Sequence, residues 1–144
     1  MPVRTFLSAA LLATVSMAAS LPAAADVIEE RKANFKANNM SMRAMGAALG
    51  ANDFAVITAE AQKIADWAAV MPDYFPESSS SGNTSAKAAI WEDFDAFKAS
   101  AKANHEAALM LIAAAEAEDM TATKNALGQL GGSCKACHQQ FKGW

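Results

Sequence analysis

The chain has 144 residues, 53% of them hydrophobic and 19% charged, with a formal net charge of −3. A length of this order suits one domain, and the apolar content is too high for a disordered segment. The mild acidity and the lack of any Lys/Arg run exclude a nucleic-acid partner, and abundant Ala with few Gly and Pro points to helices.

Residues 1–25 read as a secretory signal. Arg4 supplies a short positive start, residues 6–17 an apolar run, and Ala23, Ala24 and Ala25 the small residues of a cleavage site. The apolar run is too short to cross a bilayer, so no membrane span is expected after cleavage. Residues 26–144 are then the mature domain. Without Arg4 the chain keeps 11 basic and 15 acidic side chains, a net of about −4. That favours solubility and a basic encounter partner without identifying one.

Four amphipathic segments follow. The first covers residues 26–49, with Val27, Arg31, Phe35, Asn38, Met42, Met45 and Leu49 spaced by three and four. Gly50 is expected to end it in a left-handed conformation. Arg31 is out of place on an apolar stripe, and in isolation reads as a side chain snorkelling at the helix edge. The second covers residues 53–71, capped by Asn52 or Asp53 and stopped by Pro72. Its stripe of Phe54, Ile57, Ala61, Ile64, Ala68 and Met71 is a bundle seam.

Residues 72–85 form the one long connection, with Pro72, Pro76, four serines, Gly82 and Asn83. Tyr74 and Phe75 should pin it to the bundle end. A third helix is expected from Thr84 or Ser85 to about residue 118, with Ile90, Phe94, Phe97, Ala101, His105, Ala108 and Ile112 on one face. A fourth follows the cap Asp119 to about residue 142, with a possible break at Gly131 and Gly132. Its seam is Met120, Thr123, Leu127, Leu130, Cys134, Cys137 and Phe141. The fold class is therefore all-α, a four-helix up-down-up-down antiparallel bundle.

Cys134, Lys135, Ala136, Cys137 and His138 make a C-x-x-C-H sequence, the attachment pattern of c-type haem. Each thiol adds to one vinyl group on a porphyrin edge, and the adjacent imidazole reaches the iron. A thioredoxin-type motif would need a βαβ setting that is absent here. A zinc site would have to draw all its ligands from Cys134, Cys137, His105 and His138. A Cys134–Cys137 disulfide would leave His138 without a role. Because both cysteines lie on the core seam, the covalently bound haem belongs inside the bundle.

His138 takes one axial position of the iron. Met42 or Met45, with Met40 nearby, could supply the other and give a six-coordinate, low-spin His/Met electron carrier, although most methionines simply fill cores. His105 reads as a hydrogen-bonded imidazole rather than a ligand.

The helix order and three stretches, Arg31-Lys32-Ala33-Asn34-Phe35-Lys36, Ala86-Lys87-Ala88-Ala89-Ile90-Trp91, and Leu130-Gly131-Gly132-Ser133-Cys134-Lys135-Ala136-Cys137-His138, resemble cytochromes c′, the class II c-type cytochromes. The resemblance implies one covalent haem c in a periplasmic protein, five-coordinate and high-spin. Phe35 then stands over the open iron face in the distal pocket. Arg31, Lys32, Thr84 and Ser85 lie on the propionate side, where a helix start would suit an anion. Lys142 lies on the proximal side, where the family commonly has Arg; Lys keeps the charge but loses the planar fork.

The expected function is one-electron transfer, with NO and CO as gaseous ligands at the distal face and an unidentified redox partner. A peroxidase would want a general base over the iron. Phe35 is none, and Glu29 and Glu30 sit too far up, so no enzyme activity is expected. Exposed apolar residues on the first two helices suggest a homodimer.

Overall fold

The computed structural model describes residues 24–143. Nearly all of the expected leader lies outside the described residues. There are four long helices, α1 (Ala24–Ala51), α2 (Phe54–Val70), α4 (Phe94–Glu116) and α5 (Met120–Phe141), and the connection from α2 to α4 holds a short helix, α3 (Ala89–Glu92), and two 3-10 turns, Met71–Tyr74 and Glu77–Ser79. They form a four-helix bundle. No described helix is long and apolar enough to cross a membrane.

Tight turns set the antiparallel order. Asn52 takes a positive φ of 56° between α1 and α2, so the left-handed residue is Asn52 and not Gly50. Asparagine tolerates this region, and α1 runs on to Ala51. Asp53 caps α2 by accepting from the Val56 N–H at 3.1 Å. Glu118, at φ 52°, turns the chain between α4 and α5. Asp119 then caps α5, accepting from the N–H groups of Thr121 and Ala122, both at 2.9 Å. These side-chain oxygens satisfy donors that have no partner within the helix.

The third expected helix is shorter than its periodicity suggests. Residues 84–88 are not part of a long helix, because the chain end claims their backbone. The Lys87 N–H donates to the Phe141 carbonyl at 2.9 Å and the Gly143 N–H to the Ser85 carbonyl at 2.7 Å, around an antiparallel bridge of Ala86 and Lys142. One turn of α3 follows, and Asp93, at φ −137°, breaks it. The Asp93 carboxylate accepts from the Ala96 N–H at 3.0 Å and starts α4. Thr84 and Ser85 are thus loop residues, not a helix start. Conversely, α5 runs unbroken through Gly131 and Gly132, since glycine weakens a helix without forbidding it.

The core has two parts. An aliphatic cluster, including Met45, Ile57, Ile64, Leu111 and Leu130, fills one portion of the bundle. An aromatic cluster, with Trp67, Met71, Phe75, Phe97 and Phe141, fills the other. α2 packs along α1 and α4, and α4 along α5, but α1 and α5 make slight backbone contact. A cavity lies between them.

Removing the α5 cap by Asp119→Ala should destabilise the protein by about 1 kcal/mol. For a domain of this size the melting temperature, followed by far-ultraviolet circular dichroism, should fall by about 4 °C.

Candidate functional site

The cavity has a volume of about 550 Å³, within the range of small-molecule and cofactor sites. One wall is α5, whose helical spacing places Cys134, Cys137, His138 and Phe141 on the lining. Both cysteines are free and half-buried. Burial pushes the Cys137 thiol up to about 11, with the neighbouring Cys134 adding to the shift. Cys134 is raised by the same burial, against the opposing pull of hydrogen bonds from Asn104 and Ser133. Asn104, buried on α4, donates to Ser133 Oγ at 2.9 Å and to Cys134 Sγ at 3.4 Å. Burial, and then the charge of Lys142, lowers the His138 pKa. A lowered pKa keeps the imidazole neutral, the form with a lone pair free for a metal.

The opposite wall is α1. Arg31 does not snorkel: it is 2% exposed. Its two terminal nitrogens make four hydrogen bonds, to the Tyr74 carbonyl at 3.3 Å, Ser79 Oγ at 2.8 Å, the Ser79 carbonyl at 3.1 Å and Thr84 Oγ1 at 2.9 Å. The guanidinium also lies over the Phe75 ring at 4.4 Å, a cation–π contact. Burial pulls its pKa below the ordinary value, yet arginine stays charged. Among the described residues, no acidic side chain bonds to it.

One helical turn on, Phe35 faces the cavity. Its ring lies 6.3 Å from that of His138 on the facing wall. Met42 and Met45 do not line the cavity; Met45 is fully buried in the aliphatic cluster. Met71 lines it and packs in the aromatic cluster.

Lys32, Thr84, Ser85 and Lys142 all border the cavity. Lys32 is exposed and paired with Glu29 at 2.8 Å. Thr84 Oγ1 accepts from Arg31 and from the Ala86 N–H at 3.1 Å, so its hydroxyl hydrogen remains to donate. Sequence reasoning missed Lys36, Asn104 and Met71 as lining residues. Lys36 is one residue beyond Phe35, and Asn104 precedes the His105 that drew attention instead. His105 lies in a separate small groove, its Nδ1 2.9 Å from the Ala65 carbonyl.

Among the described residues, the lining holds Arg31, Lys32, Lys36 and Lys142 and no Asp or Glu. A buried cation with no counter-ion is costly unless something supplies one. The donor set therefore fits a flat apolar group bearing carboxylates, tethered by two thiols beside a neutral imidazole, which is what a haem c requires.

Comparison with known proteins agrees. The family model for Cytochrome C′ matches residues 26–142. A cytochrome c′ from Rhodospirillum rubrum is 44% identical over 138 residues, covering 93% of this chain and 92% of the relative. A cytochrome c-556 from Agrobacterium fabrum is 35% identical, covering 83% and 82%. Among solved structures, cytochrome c′ from Thermochromatium tepidum matches with a TM-score of 0.79 at 26% identity, over 88% of this chain and 100% of that one. The nitric oxide complex of a mutant cytochrome c prime from Alcaligenes xylosoxidans matches with a TM-score of 0.76 at 25% identity, covering 87% and 100%. A cytochrome c′ described as having ligand-controlled dimer dissociation matches with a TM-score of 0.78 at 25% identity, covering 88% and 100%.

Arg31→Ala should destabilise the fold by about 3 kcal/mol in urea titration, because the loop acceptors lose a charged donor inside the protein. Limited proteolysis should then cut within residues 74–84. Arg31→Lys should recover only part of the loss, since an ammonium cannot reproduce the fork.

Proposed function

The chain belongs to the cytochrome c′ family, and we propose that it is a periplasmic protein that transfers single electrons and binds NO or CO at a five-coordinate, high-spin iron. Its cofactor is a covalently attached haem c, which when bound supplies the ferrous–ferric couple and an open coordination position. The observation that carries the reading is Phe35: it faces His138 across the cavity, whereas Met42 and Met45 stay out of the lining. A phenyl ring has no lone pair to give a metal, and it excludes water from the face it covers.

Each protein group has a distinct part. Cys134 and Cys137 would hold the haem edge through thioether bonds, and His138 would supply the imidazole ligand to the iron. Arg31 keeps one donor, Nε–H, beyond the four already used. That donor, the Thr84 hydroxyl hydrogen, Ser85 and Lys32 would hold the carboxylates of the haem, and Lys142 would add positive charge beside His138. Among the described residues no acidic side chain lines the cavity.

The cellular setting rests on residues 1–25 as a cleaved export signal, with residues 26–144 as the mature bundle. Met40 on α1 and Val56 on α2, 62% and 38% exposed, support a homodimer through these helices. The relative with ligand-controlled dimer dissociation points the same way. The redox partner is a separate, unidentified protein.

The absorption spectrum of the purified ferrous protein tests the coordination number. A broad, unsplit visible band that sharpens on adding CO is the expected result. A sharp, split α/β pair without CO would show six coordination, the His/Met alternative. Phe35→Met should produce that low-spin spectrum, because it places a thioether sulfur where the phenyl stood.

A further inference from the structure

We propose that Trp67 is a positioning residue that holds Phe35 in place and thereby sets how readily a small diatomic ligand reaches the iron. The proposal rests on the reading of Phe35 as the side chain over the open iron face. Trp67 does not line the cavity. It stands behind Phe35, ring centroids 5.6 Å apart and planes at 87°, the edge-to-face contact that aromatic quadrupoles favour. Phe75 meets the same phenyl ring at 6.5 Å and 67°.

Both supports are themselves held. Tyr74 packs on Trp67 with centroids 4.9 Å apart, and the Arg31 guanidinium covers Phe75. Trp67 is buried, at 6% exposure, whereas Phe35 is only half-buried. A side chain moves between discrete rotamers, and in a close-packed interior it turns only into space its neighbours yield. Phe35 must turn aside to admit a ligand, so the indole behind it controls that step.

Carbon monoxide association, followed by flash photolysis of the ferrous holoprotein, tests this in wild type, Trp67→Leu, Phe35→Ala and the double variant. Trp67→Leu should raise the rate about tenfold, the scale of one lost aromatic contact. Added to Phe35→Ala it should change nothing, because a residue acting through Phe35 then has nothing to act on. A crystal structure of the Trp67→Leu holoprotein should show the Phe35 ring in a second rotamer. A wild-type rate in Trp67→Leu beside a faster Phe35→Ala overturns the proposal. So does an equal rise in both backgrounds, or an unmoved Phe35 ring. A wild-type rate in Phe35→Ala overturns instead the reading of Phe35 as the residue over the iron, and the proposal with it. If Trp67→Leu does not fold, Trp67→Phe carries the same cycle. Its shorter ring keeps part of the contact with Phe35, so a smaller rise of about threefold is expected, and a wild-type rate overturns the proposal.

Discussion

Arg31 carries a positive charge into the protein with no carboxylate beside it among the described residues, and the cavity takes its form from how that charge is satisfied. Two loop carbonyls, two hydroxyls and two aromatic faces surround the guanidinium. These acceptors come from residues 74 to 84, so one side chain of α1 gathers the long connection against the bundle. Tyr74 and Phe75 are thereby placed beside Trp67 and Phe35. Polar acceptors and π faces offset only part of the cost of burying a charge. The adjoining cavity, lined by Arg31 and three lysines, leaves that remaining demand to an anionic group, the part proposed above for the haem propionates.

The two walls of the cavity have different chemistry because they come from helices with different neighbours. α5 presents thiols and an imidazole and is braced by α4, where Asn104 bonds to both Ser133 and Cys134. α1 presents a phenyl ring backed by aromatic residues from α2 and the loop. The wall that carries His138 is polar and hydrogen-bonded, whereas the facing stretch of α1 presents the phenyl ring of Phe35, which has no lone pair to give a metal. The slight contact between α1 and α5 leaves room for a ring between them.

Much of the fold was legible because helix signals are local. The alternating three-and-four spacing of α2 and α5 located both helices, and Asp53 and Asp119 cap them as their positions implied. Two of the failures, at residues 84–88 and at Arg31, come from competition by distant partners. Residues 84–88 look helical, but the chain end at residues 141–143 takes their backbone bonds. Gly50 is the better left-handed residue in isolation, yet Asn52 occupies the turn. Arg31 reads as a snorkelling side chain until its loop partners, 43 to 53 residues away, are in place.

By itself the sequence determined the covalent cofactor, because C-x-x-C-H is a local geometry that one helix presents whatever surrounds it. It also determined the helical class and the core position of both cysteines, which follow from a periodicity inside one segment. Only the tertiary structure decided which side chain of α1 faces His138, how Arg31 is satisfied, and that Trp67 stands behind Phe35. Those relations join residues from separate helices and a long loop. They depend on how the helices rotate and pack against one another, which no single segment encodes.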